Sequence, residues 1–183
     1  MTTYLSIHHE NNLDQITLET RWTEIAADTR AHWQMTLFNM RDGLRYCEWD
    51  APREDVVREI FRDLGIKWSE IFEVGVTVPA DWCLWCMKSG KRAKANVPYF
   101  LAAHHEPYVS RETVESRWAE LAEEQRASWL KTWHNFDIGR RYCWWEAADR
   151  EILENVFRDR EIAWERITQV RLTTPAEWTR RED

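Results

Sequence analysis

Two short polar strings carry the residue types that bind metals or move protons: His8-His9-Glu10 and His104-His105-Glu106. In an extended strand successive side chains face opposite ways, so one imidazole of each pair is directed to each face of a sheet. If the Glu is still in the strand, the first His shares a face with it. Imidazole nitrogen plus carboxylate oxygen is a donor set for a divalent transition metal such as nickel, zinc or copper. His134 offers a further nitrogen in the second half of the chain, where the first half has Phe38. A three-ligand site therefore belongs to the second half or is shared between the halves. The structural alternative is that these residues cap strand ends and bond to backbone.

Other chemistry-bearing residues are fewer. Arg45 and Arg141, followed by Tyr46 and Tyr142, could hold a carboxylate or phenolate ligand. The stronger expectation is that they form salt bridges with the abundant local Glu and Asp. Cys83-Leu84-Trp85-Cys86 is a lone Cys-x-x-Cys. Redox chemistry would need its first thiol at a helix N-terminus, whereas this motif runs into a polar stretch. There is no phosphate-binding glycine loop, nucleophile elbow or hydrolytic triad in the sequence.

The elements that position these residues come in two sets. Residues 4–82 align with 100–178 without a gap, and about 32 of the 79 pairs are identical. Arg45-Tyr46-Cys47-Glu48-Trp49 falls on Arg141-Tyr142-Cys143-Trp144-Trp145, and Pro79-Ala80-Asp81-Trp82 on Pro175-Ala176-Glu177-Trp178. A self-similarity of this kind reads as an internal duplication. The expected modules are residues 1–82 and 98–183, with a linker at 83–97.

Each copy reads as strand, helix, hairpin, helix, strand. Leu18, Trp22, Ile25, Thr29 and Trp33 recur at steps of three or four, as do Val114, Trp118, Leu121, Gln125 and Trp129, with Ser110 as N-cap. Met35–Met40 and Leu44–Ala51 flank Arg41-Asp42-Gly43, a hairpin signal. Pro52 opens a second helix and Gly65 ends it. The last strand is Ile71–Val78. The order β-α-β-β-α-β is that of the ferredoxin-like fold, an α+β class. Such a module leaves one sheet face bare, so two copies are expected to pack sheet to sheet as a pseudo-dimeric α/β barrel. The linker spans up to about 50 Å when extended, which permits this.

Composition bounds the function. With a net charge of −7, the chain is unsuited to sheathing phosphates, and the one basic run, Lys88, Lys91, Arg92 and Lys94, falls in the linker. No nucleic-acid or membrane partner is expected. The N-terminus has neither the basic start nor the apolar run of a signal peptide, so a cytoplasmic location with four reduced thiols follows. Thirteen Trp exceed what a core of this size needs, and some are expected to line a cavity or a partner surface.

Tyr46-Cys47-Glu48-Trp49-Asp50-Ala51-Pro52, with Gly65-Ile66 and Ile71-Phe72-Glu73-Val74, resembles a family of small bacterial ferredoxin-like proteins mostly of unassigned function. The stretch Arg141–Asp149, continuing to Ile162 and Ile167-Thr168-Gln169-Val170, carries the same pattern. One branch of that family is described as nickel-binding. The resemblance implies a His at the end of the first strand, matching His8 or His9 and His104 or His105, and modules that dimerise through their sheets. The sequence departs in its doubled His, its many Trp, and Ala148, Arg160 and Glu161 where the first copy has Pro, Leu and Gly.

These observations lead to a non-enzymatic binding protein for a nickel-like divalent metal (nickel or zinc, otherwise no cofactor) or a small ligand. Its metal ligands would be His104, His105, Glu106 and His134, with His8, His9 and Glu10. It would be a pseudo-twofold monomer, with a homodimer as the other state. The alternative is an enzyme of the dimeric α/β-barrel type, a cofactor-free monooxygenase or isomerase or a haem-dependent enzyme, acting on a small aromatic substrate.

Overall fold

The computed structural model describes residues 1–11, 13–83 and 97–179. The expected linker, its basic run and Cys86 lie outside them, apart from Cys83 and Val97. The fold is mixed α+β, and the chain divides into two compact units: Met1–Val74 together with the residues from Arg171 onward, and Gly75–Val170. No helix among the described residues is long and apolar enough to cross a membrane.

The first unit contains β1 (Thr2–His9), α1 (Gln15–Ala27), β2 (His32–Asn39), β3 (Leu44–Ala51), α2 (Glu54–Asp63) and β4 (Glu70–Glu73). Its strands lie in the order β4-β1-β3-β2, with antiparallel pairing throughout. Arg171–Thr173 pair on the outer side of β2. The second unit has β5 (Gly75–Thr77), β6 (Tyr99–His105), α3 (Arg111–Ala122), β7 (Ser128–Asn135), β8 (Arg140–Glu146), α4 (Arg150–Asp159) and the start of β9 (Arg166–Thr173). Its order is β9-β6-β8-β7-β5.

Alternation in β1 turns Tyr4, Ser6 and His8 toward the helices, where Tyr4 joins a core with Leu18, Trp22, Trp49, Ile60 and Phe61. In β6 Phe100, Ala102 and His104 do the same, against Val114, Trp118, Trp145, Val156 and Phe157. Trp22, Trp33, Trp49, Trp118, Trp129 and Trp145 all sit in these helix-side cores, so much of the Trp excess is core after all. Cys47 and Cys143 are buried free thiols among them. Cys83 is disulfide-bonded, which corrects the expectation of four thiols.

Local chemistry places the helix ends. Asp14 and Ser110 accept from the backbone N–H of Thr17 and Thr113, capping α1 and α3. Both helices stop earlier than the periodicity suggests. Trp33 and Trp129 continue the helical spacing but lie in β2 and β7, where each indole N–H donates to a strand threonine, Thr36 and Thr132. The second helix starts at Glu54 rather than Pro52. The expected strand Ile71–Val78 is broken at Val74 into β4 and β5.

The hairpins demand glycine. Gly43 and Gly139 have φ of 63° and 62°, and an added Cβ would fall 2.5 Å from the Glu10 carbonyl oxygen and 2.3 Å from the Pro107 Cα. Their carbonyls accept from the backbone N–H of Glu10 and Glu106 at 2.9 and 2.8 Å. Each hairpin thus fixes an acidic residue at a strand end, Glu10 after β1 and Glu106 after β6.

Candidate active site

Glu106, held by the β7–β8 hairpin, accepts from Arg117 of α3 at 3.2 Å and from Arg141 of β8. Arg117 also donates to the Glu161 carbonyl at 2.7 Å, at the one described non-glycine residue with positive φ. The Arg141 side chain is 6% exposed and that of Glu106 9%. One carboxylate thus faces two guanidinium groups, which leaves a net positive charge in a nearly dry place. The first unit repeats the clamp with Glu10, Arg21 and Arg45. There burial alone would raise the Glu10 carboxyl, but its bonds to Arg45 and Arg21 outweigh it and hold the group below its ordinary value.

His104 stands beside this clamp, 2% exposed. Its ring meets Phe157 edge-on, centroids 5.1 Å apart. Nδ1 lies 2.8 Å from the Ala163 carbonyl, and since a carbonyl only accepts, Nδ1 carries the proton. Burial, with Arg141 and Arg117 adding to it against the Ala163 bond and Glu106, pushes its pKa down to about 4. At neutral pH the ring is uncharged, and Nε2 presents a lone pair with no partner among the described residues.

A cavity between α3, α4 and the sheet opens at this nitrogen. Its polar wall is His104, Arg117, Arg141 and the Cys143 thiol, which burial pushes up to about 11. Val114, Trp118, Leu121, Phe157 and Ile162 form the apolar wall. The empty space, mouth included, is about 270 Å³, and the interior admits little more than one water-sized group.

The matching place in the first unit is closed chemically. His8 Nδ1 donates to the Lys67 carbonyl at 2.7 Å. Ser6 Oγ lies 3.0 Å from His8 Nε2 and accepts from Trp49 Nε1 at 3.1 Å. Burial first, then Arg45, pushes His8 down to about 3. That unit instead has a groove of about 580 Å³, mouth included, walled by Trp22, Phe38 and Trp178 and edged by Glu19, Glu177 and Arg171. The Arg171 guanidinium lies over Phe38, 5.4 Å from its centroid.

The residues expected to ligate metal are placed apart. His9 is exposed. His105 is half exposed, 3.8 Å from the Glu165 carboxylate, and β-alternation separates it from His104. Glu10 and Glu106 are taken by arginines. His134 stacks obliquely on Trp118 and Phe136 at 5.0 and 4.7 Å and does not line the His104 cavity. Among the described residues no three of His, Cys, Asp or Glu come together to hold a metal ion. The Glu–Arg–Arg clamp leaves a signal in the sequence, since Glu10, Arg21 and Arg45 recur identically as Glu106, Arg117 and Arg141.

Residues 100–170 match the family described as nickel responsive protein SCO4226-like. That stretch is under half of the chain and lies inside the second unit. No curated protein matches the chain in sequence. Among solved structures, a candidate chlorite dismutase, TA0507, superposes with a TM-score of 0.51 at 13% identity, over 97% of this chain and 96% of its own. The siroheme decarboxylase NirDL gives 0.51 at 11%, over 92% of this chain and 70% of its own. At these identities the likeness is one of fold. It corrects the non-enzymatic reading as a metal- or ligand-binding protein, because the structures sharing this fold over most of the chain bear the names of enzymes.

Proposed function

We propose that the chain is an enzyme of the dimeric α/β-barrel type that acts, without a bound cofactor, on a small aromatic substrate carrying an ionisable hydroxyl or enol. The observation that carries this reading is His104: buried, neutral, with a free Nε2 on a cavity beside two guanidinium groups that share one carboxylate.

The residues divide the work. Trp118, Leu121 and Phe157 receive the ring, and the Trp118 wall must give way for a whole ring to enter. The substrate hydroxyl reaches His104 Nε2, which takes its proton. A histidine held near 4 is a weak base, so transfer is favourable only while the substrate anion lies in the field of Arg117 and Arg141. Ionisation is thereby coupled to binding. Return of the proton from His104 to a carbon of the delocalised anion converts the enol into its keto tautomer, an isomerase reaction. Transfer of the electron pair to dioxygen, with one oxygen atom kept by the product and the other leaving as water, gives a monooxygenase. Both begin with the same step. We further read the two units as copies of one module, on the gapless alignment of 4–82 with 100–178, of which only the second carries this chemistry.

The test is turnover of a panel of phenols, naphthols and hydroxyquinones, followed by absorbance and by dissolved oxygen. The wild-type protein is expected to convert at least one of them, and His104→Ala to lower the rate by about 10²–10⁴, the usual weight of a general base. Absence of conversion across the panel, or full activity in His104→Ala, would overturn the reading.

A further inference from the structure

Burying a polar hydrogen without a partner is costly, and buried donors are almost always satisfied. In the second unit the indole N–H of Trp145 is buried with no hydrogen-bond partner among the described residues. His104 Nε2 is likewise without one. In the first unit the corresponding atoms, Trp49 Nε1 and His8 Nε2, are bridged by a single hydroxyl, Ser6 Oγ.

The two places are built alike. Ser6 pairs with Cys47 across β1 and β3, and Ala102 with Cys143 across β6 and β8. Trp49 meets Phe61 at 5.3 Å and 76°, and Trp145 meets Phe157 at 5.6 Å and 74°. His8 and His104 meet the same phenylalanines edge-on, at 4.9 and 5.1 Å. What differs is the hydroxyl, because Ala102 stands where Ser6 does. The second unit thus lacks the one oxygen atom that joins the corresponding donor and acceptor in the first. Of the residues around that position His104 also lines the cavity, which has room for about one such group, whereas Trp145 and Ala102 lie behind its wall.

We infer that a ligand hydroxyl, or a water when no ligand is bound, sits between Trp145 Nε1 and His104 Nε2 in the place that Ser6 Oγ fills in the first unit. Trp145 donates to its oxygen and the oxygen donates to His104 Nε2. The pair reads a group that is donor and acceptor at once: a phenol or enol hydroxyl satisfies both sides, and a methyl ether satisfies only Trp145. This deepens the proposed function and rests on it for the identity of the ligand, while the geometry of the subsite stands by itself. Trp145 is then a specificity-determining residue and Ala102 the vacancy that admits the substrate oxygen.

The probes are phenol and anisole, and the readout is the indole N–H spectrum of protein labelled with ¹⁵N-tryptophan, with the Trp145 signal identified by Trp145→Phe. Phenol is expected to shift the Trp145 signal while anisole leaves it in place. Ala102→Ser, which supplies the missing oxygen from the chain, is expected to bind phenol at least tenfold more weakly and to show a Trp145 signal that phenol no longer moves. Equal shifts from phenol and anisole, an unmoved Trp145 signal, or undiminished phenol binding in Ala102→Ser would each overturn the inference. Failure of the enzyme reading is distinguishable, since a protein that converts no panel substrate yet shows the phenol-specific Trp145 shift keeps the subsite and loses the reaction. Conversion that Ala102→Ser leaves untouched does the reverse.

Discussion

The two units hold nearly the same clamp and differ in what surrounds it. In the first, Glu10 binds Arg21 and Arg45, Ser6 closes the His8 ring, and Arg171 lies over Phe38. In the second, Glu106 binds Arg117 and Arg141, but Ala102 leaves His104 open, and Gly75 and His134 replace Arg171 and Phe38. The clamp by itself therefore does not distinguish the two units. On the proposed reading, reactivity depends on whether the neighbouring histidine is satisfied by the chain itself, so the residues exchanged between the units mark which of the two works.

The strongest way to break this comparison is to remove the shared carboxylate. Glu106→Gln leaves Arg141 buried with its charge uncompensated, and breaking such a pair typically costs about 3–5 kcal/mol. The Glu10 side chain is 16% exposed against 9% for Glu106, so Glu10→Gln is expected to cost less, because water screens more of the stranded charge. Urea unfolding of the two variants measures the difference. Equal and small losses would mean that the clamp is not what holds the strand ends to the helices.

The next effect is acid sensitivity. In an unfolded chain each imidazole takes a proton near pH 6.5, whereas in the folded protein His8 does so only near 3 and His104 near 4. Stability is then complete above pH 6.5 and falls as pH drops from 6.5 toward 4, by about 1.4 kcal/mol per pH unit for each histidine. His8 faces Arg45, Glu10 and Arg21, and His104 faces Arg141, Glu106 and Arg117. Glu10, held low by its arginines, adds its own loss only below the ordinary carboxylate range. His134, lowered to about 4 by burial with Arg111 and Arg141 adding to it, contributes in the same way, so unfolding free energies between pH 7 and 5 are expected to lose about a third of their slope in His104→Leu. An unchanged slope would show that the ring is already protonated or solvated in the folded state.

Gly75 tests the second exchange. A Cβ there would come within 2.4 Å of His134 Cε1, so Gly75→Ala must displace that ring from its contact with Trp118, at a cost of about 1–3 kcal/mol for overpacking. Arg171→Ala in the first unit removes only a cation–π contact over Phe38 and is expected to cost less than 1 kcal/mol. Thermal unfolding of both variants checks the order.

What could be read from the sequence follows the physics of each signal. The helices, the glycine hairpins and the Ser110 cap were legible because they depend on local spacing and turn chemistry. The ends of α1 and α3 were not, since Trp33 and Trp129 keep a helical spacing while their indoles bond to Thr36 and Thr132 within strands. The polar strings His8-His9-Glu10 and His104-His105-Glu106 were visible, and alternation correctly separated the two imidazoles of each pair. Their roles were hidden because Glu10 and Glu106 are claimed by arginines eleven and thirty-five positions away in sequence, a pairing that only the folded sheet discloses. The exchange of Ser6 for Ala102 was on the page as a plain mismatch. It gained meaning once Trp49 and His8 were seen to share one hydroxyl.

The smallest effect sharpens the comparison most. Ser6→Ala should make the first unit resemble the second, stranding Trp49 Nε1–H and His8 Nε2 where Ser6 now joins them. Losing a buried bridging hydroxyl costs about 1–2 kcal/mol, less if a water takes its place. Ala102→Ser is the reverse change and should stabilise by about 1 kcal/mol or less, since the new hydroxyl satisfies two groups but gives up its own hydration. Opposite signs in urea unfolding, with Ser6→Ala destabilising and Ala102→Ser stabilising, would establish that the second unit keeps its vacancy at the expense of stability, as sites that must receive a ligand commonly do. A destabilising Ala102→Ser would show that the space above Ala102 is too tight for an oxygen atom, and the two units would then differ by packing rather than by an open position.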